Sequence, residues 1–387
     1  MFYLNNQEMD TVYSVGIDMS KKDFKACFML FDDDNNGKVK ASRAFANTIN
    51  GFEHFKVWCN KQQKEALPVG FIMEATGSYH EQLAWFLYKD KQTVSVVLPN
   101  RAKAYMISLG LKSKNDKIDA KGLAHMGATQ KLAVWNPISK QTYNLRQLTR
   151  HLEDLQKIRT SLINQTEQSA YAMYDLKTVA NSINKVLKTI DKQIADCKKK
   201  IQSIIDKDSK LSKKIHYMTS IKGVSTITAA VVVGETNGFA LIKNERQLVS
   251  YAGYDVKENQ SGARTGKTRI TKKGNAHIRR AMHLPAFNTV THKVKTFENL
   301  YRRVYEKSGI KMKGYVAVQS KLLRLMYTLW KNETEFDPYF STSGIQEPKT
   351  LFSVAPVGAE KTAEQLSPAA LDGLPCNQSP EALFSVV

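Results

Sequence analysis

The period of the hydrophobic positions changes twice along the chain. Between residues 12 and 130 apolar runs are short. Val12 to Ile17 ends at Asp18, Phe24 to Leu30 runs into the turn-rich residues 32–37, and Lys38 to Phe45 returns as a third strand. Val69 to Met73 and Thr93 to Leu98 read as buried strands, with a helix from Tyr79 to Lys89 between them. A meander of strands followed by alternating strands and helices predicts an α/β domain.

From Asn144 to about Leu211 glycine and proline vanish. Leu145, Leu148, Leu152 and Leu155 step by threes and fours, as do Ile183, Leu187, Ile190, Ile194, Cys197, Ile201 and Ile204. This is heptad spacing. The polar stretch from Thr166 to Tyr174 predicts a break between two long helices. These helices pair either as a coiled coil between copies or as a hairpin within one chain. Residues 216–333 read as a second compact, mostly helical domain. The tail from Thr334 holds six of the ten prolines, shows no periodicity and is expected to be disordered. The expected domains are 1–140, 141–212, 213–333 and 334–387.

Charge changes the picture from fold to partner. Lys and Arg number 57 against 36 Asp and Glu, a net +21 over 387 residues. The tail has two lysines against seven acids, so the body to Glu333 carries +26. An excess of this size favours a polyanion. The four cysteines are scattered, with no Cys-x-x-Cys pair, and the eight histidines lack ligand spacing. That pattern fits a reducing cytoplasm and no zinc site. No signal-peptide pattern and no apolar stretch of about 18 residues is found, so a membrane role is not expected.

Four acids have positions that suit chemistry. Asp18 ends one apolar strand, in Gly-Ile-Asp-Met-Ser-Lys. Glu74 ends another, in Met-Glu-Ala-Thr-Gly-Ser-Tyr. Asp116 and Asp119 lie three apart before a helical run and share a helix face. Acids placed after strands can converge at one end of a sheet, and a convergent group calls for a hard cation such as Mg²⁺ or Mn²⁺. The plain alternative is that each acid is a cap or loop residue.

In the second half, Tyr217 to Glu235 suggests a helix-hairpin-helix segment turning at Lys222-Gly223-Val224, with Ser225 where a second glycine is common. A glycine-rich basic loop follows. It bears Ser261, Arg264, Lys267, Arg269, Lys272 and Lys273, and leads into a helix with His277, Arg279, Arg280 and His283 capped by Asn275. These cations suit a DNA backbone. Gly266-Lys267-Thr268 lacks the first glycine of a phosphate loop, which argues against a nucleotide site.

Taken in order, the N-terminal motifs with Lys-x-Asp-x-Ile-Asp-Ala, then Tyr-Ala-Gly, Gln-Ser-Gly, Ile-Thr-Lys-Lys-Gly-Asn and Ile-Arg-Arg-Ala-Met, resemble the DEDD-type insertion-sequence transposases. That family includes pilin-inverting and bridge-RNA-guided recombinases. The resemblance covers about residues 12–300. It departs at Asn115, where Thr is common, and at Gly253-Tyr254-Asp255-Val256, where Gly-Leu-x-Pro is common. It implies a RuvC-like (ribonuclease-H-like) N-terminal fold, a C-terminal transposase domain, and Asp18, Glu74, Asp116 and Asp119 as metal ligands. It implies Ser261 as nucleophile, double-stranded DNA as substrate, a structured guide RNA, a homodimer or tetramer, and a cytoplasmic, nucleoid-associated site of action. Two other readings stay open: a metal-dependent nuclease or junction resolvase in which water attacks, and a nonenzymatic nucleic-acid-binding protein.

Overall fold

In the computed structural model the described residues are 12–338, except 33–35, 65, 111–114, 170, 175–176, 241, 259, 262–263 and 267. Past Pro338 the expectation of a disordered tail falls outside the described residues, as does Lys267; at its start Phe336 is held instead, its N–H donating to the Ser220 hydroxyl at 2.8 Å and its ring packing on Phe297.

Three antiparallel strands open the chain: β1 (Val12–Met19), β2 (Asp23–Phe31) and β3 (Gly37–Ala46). Then come α1 (Ile49–Gln62), β4 (Val69–Glu74), α2 (Glu81–Lys89), β5 (Thr93–Val97), α3 (Pro99–Ser108) and α4 (Asp116–Thr129). The sheet order is β3-β2-β1-β4-β5, with β4 parallel to both β1 and β5. This mixed sheet is compatible with the expected ribonuclease-H-like domain. One face is sealed by α1 and α2 over an aromatic cluster of Phe24, Phe45, Phe52, Phe55, Trp58 and Phe71. The other is covered by α4 through small side chains, Ala120 and Ala124 against Cys27 and Met29.

Glycine decides how close α4 comes. A Cβ on Gly16 would lie 2.0 Å from the Ala120 carbonyl oxygen and 2.2 Å from the Ala124 nitrogen. The helix backbone thus rests directly on β1, two residues before Asp18. Ser14 fixes the same crossing by donating to the Ala124 carbonyl at 2.6 Å. Any side chain at residue 16 would force the helix and sheet apart.

Two 30-residue helices follow, α5 (Lys140–Ser169) and α6 (Lys177–Asp206). They fold back on each other: the Cys197 thiol reaches the Leu148 carbonyl, and Arg159 pairs with Asp191 at 2.6 Å. The heptad positions near their roots, Leu145, Leu152, Cys197 and Ile201, join the core of the C-terminal region. Within the chain the pattern therefore serves an antiparallel helical hairpin. Towards its tip the burial fades, with Ile158, Val179 and Val186 all more than 40% exposed.

The remaining elements are α7 (Ser209–Thr219), α8 (Thr226–Thr236), α9 (Glu245–Ala252), the two-residue strands β6 (Val256–Lys257), β7 (Gln260–Ser261), β8 (Arg264–Thr265) and β9 (Arg269–Ile270), then α10 (Ala276–Thr291), α11 (Lys295–Ser308) and α12 (Lys311–Asn332). Gly223 turns between α7 and α8 with φ +103. Ser225 caps α8 by accepting from the Thr228 N–H, which is a use for serine at that position.

The first half of α5 is a polar stripe that bonds to both flanking regions. Tyr143 and Arg146 donate to Glu81 of α2 at 2.9 and 3.2 Å. Arg150 is bidentate to Glu235 of α8 at 2.7 and 2.8 Å, and the Glu153 carboxylate lies 2.6 Å from His277. Burial alone would raise the Glu235 carboxyl, whose side chain is 1% exposed, but the Arg150 and Asn275 hydrogen bonds outweigh burial and hold it below the usual range. Arg150→Ala strands that carboxylate, and such a loss costs about 3–5 kcal/mol at buried pairs. Chemical denaturation of the variant should show a drop near the low end of that range, because Asn275 remains.

Candidate active site and nucleic-acid surface

Asp18 and Glu74 are neighbours by register. Ile17 of β1 pairs with Met73 of β4 in the parallel ladder, so the next residue on each strand is an acid at the same sheet edge. Asn115 then starts α4: its side chain accepts from the Ile118 N–H, which puts Asp116 and Asp119 in the first helical turn. The close crossing at Gly16 brings that turn to the end of β1.

The electrostatics agree with this convergence. Burial first, and then the charges of Asp119, Asp116 and Glu74, together push the Asp18 carboxyl up to about 6. Lys25 works the other way. It is the cross-strand partner of Asp18, and its ammonium forms an ion pair with Asp116. Among the described residues no three His, Cys, Asp or Glu side chains already stand together at ligation distance. The acids share one electrostatic field while Lys25 occupies one of them. An all-carboxylate donor set with a surplus of negative charge fits a hard divalent cation.

Ser261 lies in β7, where it pairs in register with Arg264 of β8. Outside this pair, β6 and β9 join Val256 to Ile270 and Lys257 to Arg269. The basic loop is thus a two-rung hairpin with Ser261 on its distal rung. Its base is clamped. A Cβ on Gly274 would lie 2.5 Å from the Gly253 nitrogen, and Arg279 donates to the carbonyls of Ala252 and Gly274 at 2.8 and 3.0 Å. Arg279, read from sequence as a DNA contact, therefore has an internal task. Arg280 is exposed, 3.7 Å from Glu153, and Arg269, Lys272 and Lys273 are exposed around the hairpin base. Lys272 sits in the left-handed region at φ 53.

Residues 15–170 match a transposase family model of the DEDD, IS110 type, and residues 215–302 match the one described as transposase IS116/IS110/IS902 family. The chain belongs to the DEDD-type insertion-sequence transposase family. It is 28% identical over 331 residues to the pilin gene-inverting protein of Moraxella lacunata, across 84% of this chain and 97% of the relative. The Moraxella bovis protein of the same name is equally similar. The transposase for insertion sequence element IS1111A of Coxiella burnetii is 22% identical over 308 residues, 72% of this chain and 78% of the relative. The family makes this chain a transposase or recombinase, with DNA as the substrate of the family's reaction. Among the described residues no helix is long and apolar enough to cross a membrane.

The acidic quartet could be found from sequence because each acid ends or begins an apolar element. Lys25 was missed. The signal for it was the hairpin register, since a strand returning after residues 20–22 brings residue 25 opposite residue 18.

Proposed function

We propose that this transposase cuts and exchanges DNA strands by attack of the Ser261 hydroxyl on a phosphodiester at the acidic quartet. The new bond is serine oxygen to phosphorus, the broken bond is phosphorus to the 3′ oxygen, and the serine proton leaves as the 3′ hydroxyl gains one. The covalent phosphoserine keeps the bond energy for rejoining to a second 3′ hydroxyl. Asp18, Glu74, Asp116 and Asp119 would hold Mg²⁺ or Mn²⁺, which supplies Lewis acidity at the departing oxygen and lowers the barrier to deprotonating the attacking hydroxyl. Arg264, Lys267 and Arg269 offer positive charge to the pentavalent transition state. Lys272, Lys273 and Arg280 hold flanking phosphates. The observation that supports this reading is that Asp119, Asp116 and Glu74 all act on the Asp18 carboxyl, in a chain that matches the family over both regions. In the nuclease alternative water replaces Ser261, and a serine variant separates the two.

Assembly follows from the hairpin. Its tip leaves Ile158, Val179 and Val186 partly bare, with Tyr171 92% exposed at the turn. A second copy's tip covers these residues, giving a dimer or a tetramer, and delivers one subunit's Ser261 to another's acids. Leu187 is half-buried and Ile194 packs on the core. The outward positions are therefore the better probes. Val179→Lys with Val186→Lys should halve the mass seen by light scattering while leaving helical content unchanged. A wild-type monomer with nucleic acid bound would refute the pairing.

The family resemblance implies a structured guide RNA encoded beside the gene, and a body charge of +26 suits such a polyanion. Protein purified from cells should carry one RNA species, lost steeply with rising salt as phosphates regain their counterions. Sequence-specific recombination by RNA-free protein would rule the guide out.

A further inference from the structure

Beside the acids, between β2, β3 and the first turns of α4, lies a cavity of about 150 Å³. Lys25 and Ser42 line it from the sheet, Lys117 from the helix, and Ala44 and Ala120 leave it open. No carboxylate lines it. The β2–β3 register pairs Lys25 with Ala44 and Cys27 with Ser42, so these side chains share the face that meets α4. Arg43, the next residue on β3, also borders the cavity, but its guanidinium stands over the Phe45 ring at 5.5 Å. The Lys25 ammonium is shared with Asp116, so the cavity and the acidic quartet have a common wall. Among the described residues no ion pair holds Lys117.

We propose that this cavity receives a DNA backbone phosphate adjacent to the one attacked at the acids, with Lys117 and Lys25 as its counter-charges. Lysine ammonium binds phosphate as a point charge and needs no planar fork geometry. The small residues at 44 and 120 give the phosphate room to approach it. A phosphate seated there carries no sequence information but fixes the strand's register against Asp18. The site deepens the metal-assisted cleavage proposed above and rests on it.

The test reads binding alone. Fluorescence anisotropy of a single-stranded DNA oligonucleotide is followed in EDTA across a salt series, for the wild type, Lys117→Gln, Ala44→Leu, Lys117→Arg and Asp18→Asn. Lys117→Gln removes the charge, and Ala44→Leu fills the space without touching the acids. Each should weaken binding on the order of tenfold. Each should also flatten the slope of log affinity against log salt by about 0.7 to 1, the value for one lost phosphate. Lys117→Arg should bind as the wild type does, and Asp18→Asn should not lose slope. Thermal melts matching the wild type confirm that Lys117→Gln and Ala44→Leu are folded. Unchanged affinity and slope in both variants overturn the site, as does a loss confined to an RNA oligonucleotide of the same length. Failure of Mg²⁺-dependent cleavage in the wild type would refute the chemistry without moving these slopes. Normal cleavage with unchanged slopes would refute the cavity alone.

Discussion

Ser261→Ala is expected to bind DNA and RNA as the wild type does and to form no protein–DNA adduct. Strand exchange should fall on the order of 10⁴-fold or more, because removal of a covalent nucleophile cannot be offset by the groups around it. The position favours this residue over its neighbours. Ser250 lies within α9, whereas Ser261 stands on the distal rung of a hairpin whose base is clamped by Arg279 and the Gly253–Gly274 contact. No histidine lies close to Ser261 in the sequence: the nearest, His277, begins α10 and is engaged by Glu153. In the proposed mechanism the hydroxyl takes its activation from the acidic quartet. The decisive measurement is denaturing electrophoresis of a labelled, nicked suicide substrate, followed by mass spectrometry of the trapped peptide. A phosphopeptide from any other residue, or efficient exchange with no adduct, would overturn the assignment. Ser261→Cys should retain a trace of adduct, since a thiolate is nucleophilic but differs in size and metal preference.

The second large effect is metal dependence. EDTA, or Asn or Gln at any one of Asp18, Glu74, Asp116 and Asp119, should abolish strand cleavage while DNA binding persists. Asp18→Asn also makes a prediction about folding. In the metal-free protein burial and the three neighbouring acids raise the Asp18 carboxyl to about 6 from an ordinary value of 3.8. A native state that holds its proton more tightly than the unfolded chain loses stability as pH rises through that window. Removing the charge should therefore raise the melting temperature in EDTA at pH 7, and the gain should vanish below about pH 4. Mg²⁺ should stabilise the wild type above pH 6 and leave Asp18→Asn nearly unmoved. Full recombination in EDTA would sink the metal reading, and equal melting temperatures at pH 7 would remove Asp18 from the centre of the cluster.

Much of this site was legible because its residues sit where periodicity breaks. Asp18 and Glu74 end apolar runs, and Asn115 is a capping residue ahead of two acids at helical spacing. The five strands of the sheet were readable from alternating and continuous apolar runs. Two helices were not. Helix α1 begins at a Thr48 cap and α3 at Pro99, both recognisable signals, but α1 mixes buried Phe52, Phe55 and Trp58 with polar residues in a weak stripe, and α3 buries only Ala102. The heptads from Leu145 and Ile183 predicted long helices correctly in place. Periodicity alone could not say which partner they meet, because a helix of the same chain and one of another copy ask for the same apolar stripe. Lys25 and the Arg150–Glu235 pair were hidden for a related reason. Each depends on a contact between residues far apart along the chain or on a strand register, and a single sequence displays neither.

The polar stripe of α5 bears on how this protein can be taken apart. A chimera-builder who treats the helical hairpin as a neutral tether would cut at its root, near Lys140, and graft a relative's C-terminal half behind it. Tyr143 and Arg146 would then arrive without their own Glu81, or Arg150 and Glu153 without their own Glu235 and His277, depending on the side of the cut. Neither half carries a self-sufficient boundary within those roughly three turns of helix. In this chain the better joint lies at the other end of the hairpin, past Ile158, where among the described residues the side-chain bonds of α5 to either flanking region cease. Retargeting by domain swap should succeed when α5 travels as far as its turn with the domain it came from and Glu81 or Glu235 is matched to it.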